Sequence, residues 1–344
     1  MSIEVIRSGL LSTVQDEGRF GQRRYGIHPG GAMDTFAARV SNMLVGNTRN
    51  AAVIEMTMTG SELRFEEDQL ISLCGADLSA KVDDMDVPMW RPIVMPAGAV
   101  LRFGRCRSGL RTYMAVAGGI DVPVIMGSRS TDLKTGIGGI DGRALHVGDK
   151  LRIGKPSAEA SMILDFWGTK RKSDVHRVKT TAWYFSSNEW PGYRAEPVIR
   201  IVPGIEDRGF TEESLRKFYE ESYLVLPQSD RMGYRMQGAV LERKQAREQR
   251  LSEAVTYGTV QIPADGQPII LMADHQTIGG YPVLGQVARV DLPILAQARP
   301  GTRVTFRQIT FREAEMLWLE QERHLRLAEN FICSRMVAGM EELR

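Results

Sequence analysis

Along residues 1–150 short apolar runs alternate with turn residues. Leu70-Ile71-Ser72-Leu73-Cys74-Gly75, Val100-Leu101-Arg102-Phe103 and Thr112-Tyr113-Met114-Ala115-Val116-Ala117-Gly118-Gly119 are separated by Pro96-Ala97-Gly98 and Arg107-Ser108-Gly109. Runs this short, bounded by glycine and proline, predict strands of a sandwich or barrel. One stretch breaks the pattern. Between Met33 and Val45, Phe36, Val40, Met43 and Leu44 recur at helical spacing, with Asp34 as N-cap and Gly46 as stop.

A second β-rich region opens at Val198-Ile199-Arg200-Ile201-Val202. Further strands are predicted at Tyr223–Leu226, Thr259–Pro263, Pro268–Met272, Val287–Val290 and Thr302–Phe306, with a helix from Thr211 to Tyr219 capped by the Thr211 hydroxyl. Three segments share one form, a proline- or glycine-containing turn entering a strand: Pro96–Phe103, Gly148–Ile153 and Pro300–Phe306. The repetition suggests two related β-barrels. The pattern therefore predicts a mainly β protein with a few helices: domains over residues 1–155 and 196–310, a linker over 156–195, and a helical tail over 311–344. A small strand is expected at Trp183-Tyr184-Phe185. The basic run Thr169-Lys170-Arg171-Lys172-Ser173 reads as a solvated linker, with a phosphate patch as the other possibility. The tail is amphipathic and reads as a helix packed on its own barrel or as a partner-docking surface.

Composition narrows the function classes. Of 344 residues, 44 are Lys or Arg and 42 are Asp or Glu, a net charge of +2 that offers no global field for nucleic acid. The three cysteines, Cys74, Cys106 and Cys333, form no CxxC pair and read as free thiols in a reducing compartment. The N-terminus is charged and lacks a signal-peptide apolar region, and no run of about 18 apolar residues exists. A cytoplasmic protein with no membrane span is expected.

Several common motifs are missing. There is no GxxxxGK[ST] and no GxSxG. Gly136–Gly142 lacks the GxGxxG spacing and no helical pattern follows it. The five histidines, His28, His146, His176, His275 and His324, stand apart without HExxH, so no metal site is expected. Three segments are instead dense in polar residues and glycine. The first is Thr13–Arg19 with Gly30–Asp34. Gln15, Asp16 and Arg19 there are either satisfied turn residues, or the glycines, Gly31 among them, let backbone N–H groups approach a carboxylate at the start of the Asp34 helix. The second, Gln228–Gly238, contains Ser229 and Arg231. Arg231 serves either a structural ion pair or a bidentate contact to an acidic or amide substrate. The third, Ala273-Asp274-His275-Gln276-Thr277-Ile278-Gly279-Gly280-Tyr281-Pro282, follows an apolar strand. Asp274 and His275 can exchange a proton, and Gln276 and Thr277 offer neutral hydrogen bonds. Gly279-Gly280 permits close approach of a ligand to the backbone.

The strings Thr13-Val14-Gln15-Asp16-Glu17-Gly18-Arg19, Gly31-Ala32-Met33-Asp34, Ser229-Asp230-Arg231-Met232-Gly233, Ser252-Glu253 and Asp265-Gly266-Gln267-Pro268, together with the loop at 273–282, resemble the allophanate hydrolase subunit 2 (Kip antagonist) family. That family includes the C subunit of bacterial ATP-dependent 5-oxoprolinase and the carboxyltransferase part of urea carboxylase. The likeness runs over about residues 3–310. It implies two cyclophilin-like β-barrels, a Kip-inhibitor-like subunit 1 as partner, and a third subunit in a 5-oxoprolinase complex that cleaves 5-oxoproline to glutamate with ATP. On that reading Arg231 holds the substrate carboxylate, and Asp274, His275, Gln276 and Thr277 contact the lactam. Gly280, Tyr281, Ser229, Gln15, Asp34 and Gly31 complete the expected substrate site. No cofactor is expected to be covalently bound. ATP is used by the complex, and biotin arrives only on a partner, because no Met-Lys-Met attachment site occurs. The resemblance also allows a biotin-dependent carboxyltransferase acting on urea or a related amide, or a regulatory antagonist that binds subunit 1. Two positions depart from the family pattern: Gly30, where a serine is usual, and His275, where arginine is frequent.

Overall fold

The computed structural model of the chain describes residues 2–169, 178–244 and 251–338. The basic run from Lys170 to Ser173, His176 and the end of the tail beyond Ala338 lie outside the described residues. The chain divides into two compact units. The first comprises Met1–Gly18, Asp34–Trp190 and Arg323–Arg344, and the second Arg19–Met33 and Pro191–Glu322. None of the described helices is long and apolar enough to cross a membrane.

In the first unit two six-stranded sheets share one core. The strands Ser2–Arg7, Glu62–Phe65 and Val100–Arg102 run side by side in one sheet, and Val53–Thr57, Gln69–Asp77 and Ser108–Val116 in the other. Ile3, Val5, Leu63, Phe65 and Leu101 from the first meet Ile54, Met56, Ile71, Leu73, Met114 and Val116 from the second in one apolar cluster. The alternation is clear in Ser2–Arg7, where Ile3 and Val5 point inward between the partly exposed Ser2, Glu4 and Ile6. The helix forms where its period predicts it, over Thr35–Leu44, and the Asp34 carboxylate accepts from Ala37 N at 2.8 Å as the N-cap.

The second unit is a closed seven-stranded barrel. Closure comes from the parallel pairing of Val198–Pro203 with Arg303–Gln308, two strands about 100 residues apart. Ile199 and Ile201 face the interior at zero exposure, whereas Val198 is half exposed. Thr211 caps the helix Glu212–Glu220 by accepting from Ser214 N at 3.2 Å. That helix seals the barrel with Phe218, which stacks on Phe306 at 4.5 Å between centroids and tilts against Tyr223 at 5.7 Å.

The repeated turn-into-strand form has a common backbone cause. Gly98, Gly148 and Gly301 all adopt left-handed φ values, 85°, 87° and 89°, with open space where a Cβ would stand. Each glycine supplies the reversal that feeds the following strand.

Some expectations are revised. The described residues of the stretch expected as a linker belong to the first unit as far as Trp190 and include the helix Ala158–Thr169. Residues 183–185 form no strand. Phe185 is drawn into an aromatic stack with Phe36, Trp90 and, through Trp90, Trp190. The strand expected at 287–290 lies earlier, at Val283–Val287, and Arg289–Asp291 is a 3₁₀ turn. There the buried Asp291 accepts from the backbone N–H of Arg200 at 2.7 Å and from its guanidinium, which turns the chain out of the sheet into Leu292–Ala296. The long helix Phe311–Ala338 contributes to the packing along its length. Leu317 and Trp318 pack on Ala288, Val290 and Ile309, and further along Glu329 pairs with Arg49 at 2.6 Å.

Because Phe218 is wholly buried between Phe306 and Tyr223, Phe218→Ala is expected to destabilise the second unit by about 3–5 kcal/mol. Urea denaturation of the variant, followed by tryptophan and far-UV signals, checks this.

Candidate active site in the second unit

The strand Ile269–Leu271 delivers the chain into the loop 273–281, and the sequence there lets the loop fold back on its own unit. Ile278–Gly279 pairs antiparallel with Glu253–Ala254. Val255 N donates to Thr277 O at 3.2 Å. The segment Arg19–Met33 completes the wall from a distant part of the sequence. The Arg23 guanidinium donates to Val255 O and, at 3.4 Å, to Thr277 O, while Tyr257 Oη donates to Met33 O at 2.7 Å.

At the centre lies a buried ion pair. Arg231 Nε donates to Asp274 Oδ2 at 2.7 Å, and Nη2 donates to Asp274 Oδ1 at 2.8 Å and to Gly31 O at 2.7 Å. The two side chains are only 6% and 9% exposed. This two-point fork is the geometry arginine favours with a carboxylate. Of the two roles open to Arg231, the structure therefore displays the structural ion pair. Its guanidinium is occupied by Asp274 and by a backbone carbonyl, which argues against a primary contact to a substrate carboxylate. The backbone of the pair is tied as well, since Asp274 N donates to Arg231 O at 2.8 Å. Gly30 lies beside it. A Cβ there would stand 3.6 Å from Asp274 Oδ1, an ordinary contact, so the local demand for glycine is its φ of +63°.

His275 is 1% exposed, and its Nδ1 lies 2.6 Å from Gln276 O. A carbonyl oxygen only accepts, so Nδ1 carries the proton and Nε2 keeps the lone pair. Burial holds the imidazole below the usual histidine range, and the Arg23 and His28 charges reinforce this against the hydrogen bond from Nδ1. At neutral pH the ring is an uncharged base. Gln276 Nε2 donates at 3.4 Å to Oε1 of Gln261, a buried residue of the strand Thr259–Gln261.

The other residues expected in the site divide by unit. Thr277 is partly exposed, and Gly280 and Tyr281 are exposed at the end of the same loop. Ser229 closes a turn of the second unit, where its hydroxyl accepts from Arg235 N at 3.1 Å. Gln15 and Asp34 belong to the first unit. Gln15 Nε2 donates to Thr131 O and Thr13 Oγ1, and Asp34 caps its helix while its N–H donates to Tyr113 Oη. Tyr113 in turn donates to the buried Glu55 at 2.8 Å. Burial, with Glu55 beside it, pushes the Tyr113 hydroxyl well above its usual range. Reasoning from the sequence missed Arg23, His28, Tyr257 and Gln261. Arg23 and His28 sit in a stretch that the family strings bracket without naming, and Gln261 reads as an ordinary outward-facing polar strand residue.

Known proteins share this architecture. The model of the carboxyltransferase domain, subdomain A and B, matches residues 25–308. The chain belongs to the carboxyltransferase domain family. It is 42% identical over 324 residues to the C subunit of 5-oxoprolinase from Escherichia coli (strain K12), covering 94% of this chain and 96% of that protein. It is 30% identical to the urea amidolyase of Lachancea kluyveri over 96% of this chain but 18% of that protein. The crystal structure of the K. lactis urea amidolyase superposes with a TM-score of 0.82 at 26% identity, over 94% of this chain and 20% of that one. The family thus accounts for the β architecture of both units, and the chain spans about a fifth of either urea amidolyase.

Two outcomes test this geometry. Arg231→Met leaves Asp274 buried without its counter-charge and is expected to cost about 3–5 kcal/mol in urea denaturation, whereas Arg231→Met/Asp274→Leu recovers most of the loss. His275 has a lowered value in the folded state, so the unfolded chain binds the extra proton first as pH falls. Stability is therefore full above the ordinary histidine value and declines from about pH 6.5 downward. His275→Gln is expected to flatten that decline in melting temperatures recorded across the same range.

Proposed function

We propose that this chain is the C subunit of an ATP-dependent 5-oxoprolinase, acting with a Kip-inhibitor-like subunit and a third subunit to open 5-oxoproline to glutamate. The observation that carries the reading is the 42% identity, nearly end to end, to a protein named as the C subunit of 5-oxoprolinase. The loop 273–281 is compatible with it. Its polar groups, with the Gln261 side chain of the neighbouring strand, suit a small neutral amide: an uncharged imidazole, primary amides from Gln276 and Gln261, and accessible backbone at Gly280.

In this reading Asp274 and Arg231 are positioning residues that hold the loop in place. His275 Nε2 is the group that accepts or returns a proton when the ring nitrogen and the attacking water change protonation. Gln276 and Thr277 orient the lactam, and Tyr281 lines its entrance. Gly31 and Ser229 shape the surrounding loops of the same unit, and Gln15 and Asp34 keep their structural roles in the first. ATP belongs to the complex. Arg231 and Arg23 already donate to protein oxygens, so this site offers poor fit for a triphosphate, and no step on this chain is routed through one.

A second reading is favoured by the family itself: a carboxyltransferase-type subunit receiving a carboxyl group from a biotin carried by another protein. Retention of a biotinylated carrier protein by the purified chain supports that reading.

The deciding experiment is release of glutamate from 5-oxoproline and ATP by the chain assembled with its two partner subunits. Turnover with all three, lost when this chain is left out, is the expected result. No turnover with the complete set overturns it. In the active complex His275→Gln is expected to lower kcat by about 10²–10⁴-fold, the usual worth of a general acid–base group.

A further inference from the structure

The loop covers a buried polar group that its own unit leaves unsatisfied. Gln261 is 1% exposed, and its Nε2 makes no hydrogen bond among the described residues. Its Oε1 has only the long contact from Gln276 Nε2 at 3.4 Å. A buried N–H without an acceptor costs about 1–3 kcal/mol, and native interiors retain few of them. Exchanging the nitrogen and oxygen of Gln261 alone would set its amide nitrogen against that of Gln276.

The backbone is built to keep this arrangement. A Cβ on Gly279 would stand 2.4 Å from Gln261 Nε2, so a residue with a side chain there must displace the amide. The loop therefore lies directly over the unsatisfied donor, two residues beyond Thr277 and four beyond His275. Asp274 is neutralised by Arg231 and His275 is held uncharged, while the Arg23 guanidinium is turned onto two backbone carbonyls. A neutral carbonyl satisfies the missing acceptor without burying a further charge.

We infer that Gln261 is a substrate-binding residue whose Nε2 donates to the lactam carbonyl oxygen of the bound ring, with Gln276 presenting its amide to the same edge. A cyclic amide is held cis, so its C=O and N–H lie on one edge and two neighbouring primary amides can read both. The inference rests on the reading of 5-oxoproline as substrate and adds the group that distinguishes it from a saturated ring acid of the same size. The contact between Gln261 and Gln276 is long enough to give way when the ring enters.

The test uses the assembled three-subunit complex and Gln261→Met, which keeps the shape and removes the polar group. The variant chain is expected to melt at a higher temperature, because the unsatisfied donor is gone. KM for 5-oxoproline is expected to rise roughly 3–10-fold, the worth of one neutral hydrogen bond, with kcat little changed. Inhibition by proline, which has the ring and carboxylate but no lactam carbonyl, is expected to be the same in both proteins. An unchanged KM, or a weakening of proline to the same degree as 5-oxoproline, overturns the assignment. If Gln261→Met does not fold, Gln261→Glu, which removes the donor and keeps the size, is held to the same KM and proline criteria. A wild-type complex without turnover removes the functional reading and this inference together. An active wild-type complex with an indifferent variant removes this inference alone.

Discussion

The buried pair of Arg231 and Asp274 is the constraint on which the candidate site rests. One guanidinium joins three pieces of chain: the turn after Ser229, the loop after the strand Ile269–Leu271, and the carbonyl of Gly31 from a segment 200 residues earlier. Burying two charges is costly, and the fork geometry repays it only while both partners stay in place. A hydrophobic pair of similar volume would hold the loop with less desolvation cost. What the ions add is direction, because only one relative orientation of the two loops satisfies both oxygens. That orientation leaves His275 and Gln276, the next two residues, with their polar atoms set by the same backbone.

The polar groups that can meet a substrate on this loop are uncharged. His275 is stripped of its proton by burial and by neighbouring positive charge, and its tautomer is fixed by the carbonyl of Gln276. The remaining donors are amides. A site of this kind suits a small uncharged reacting group and would bind a polyanion poorly. This matches the division of labour expected of a complex in which phosphate chemistry is handled elsewhere. It is equally consistent with the wider carboxyltransferase family, whose substrates named among the relatives include urea.

Local features were readable from sequence because their causes are local. Asp34 and Thr211 cap the helices they precede, and the glycine turns at 98, 148 and 301 introduce the strands they predict. The dense loop at 273–282 stood out for its composition alone. Three things were not readable. Barrel closure depends on a parallel pairing across about 100 residues. The segment Arg19–Met33 joins the second unit although it lies within the sequence of the first. Gln261 gave no signal: Thr259 and Gln261 alternate with Val260 as polar residues of a half-exposed strand do, yet all three are buried, Gln261 beneath the loop at Gly279. Arg231 and Asp274 were both singled out, but nothing in a linear pattern says that they satisfy each other.

The central claim is that the loop carrying His275 is where substrate meets this chain. Its most direct test is NMR of the histidine rings in the assembled complex, titrated with 5-oxoproline. The His275 resonances are expected to shift in a saturable way, while the exposed rings of His146 and His324 stay where they are. Saturable binding that leaves the His275 ring unmoved would contradict the account.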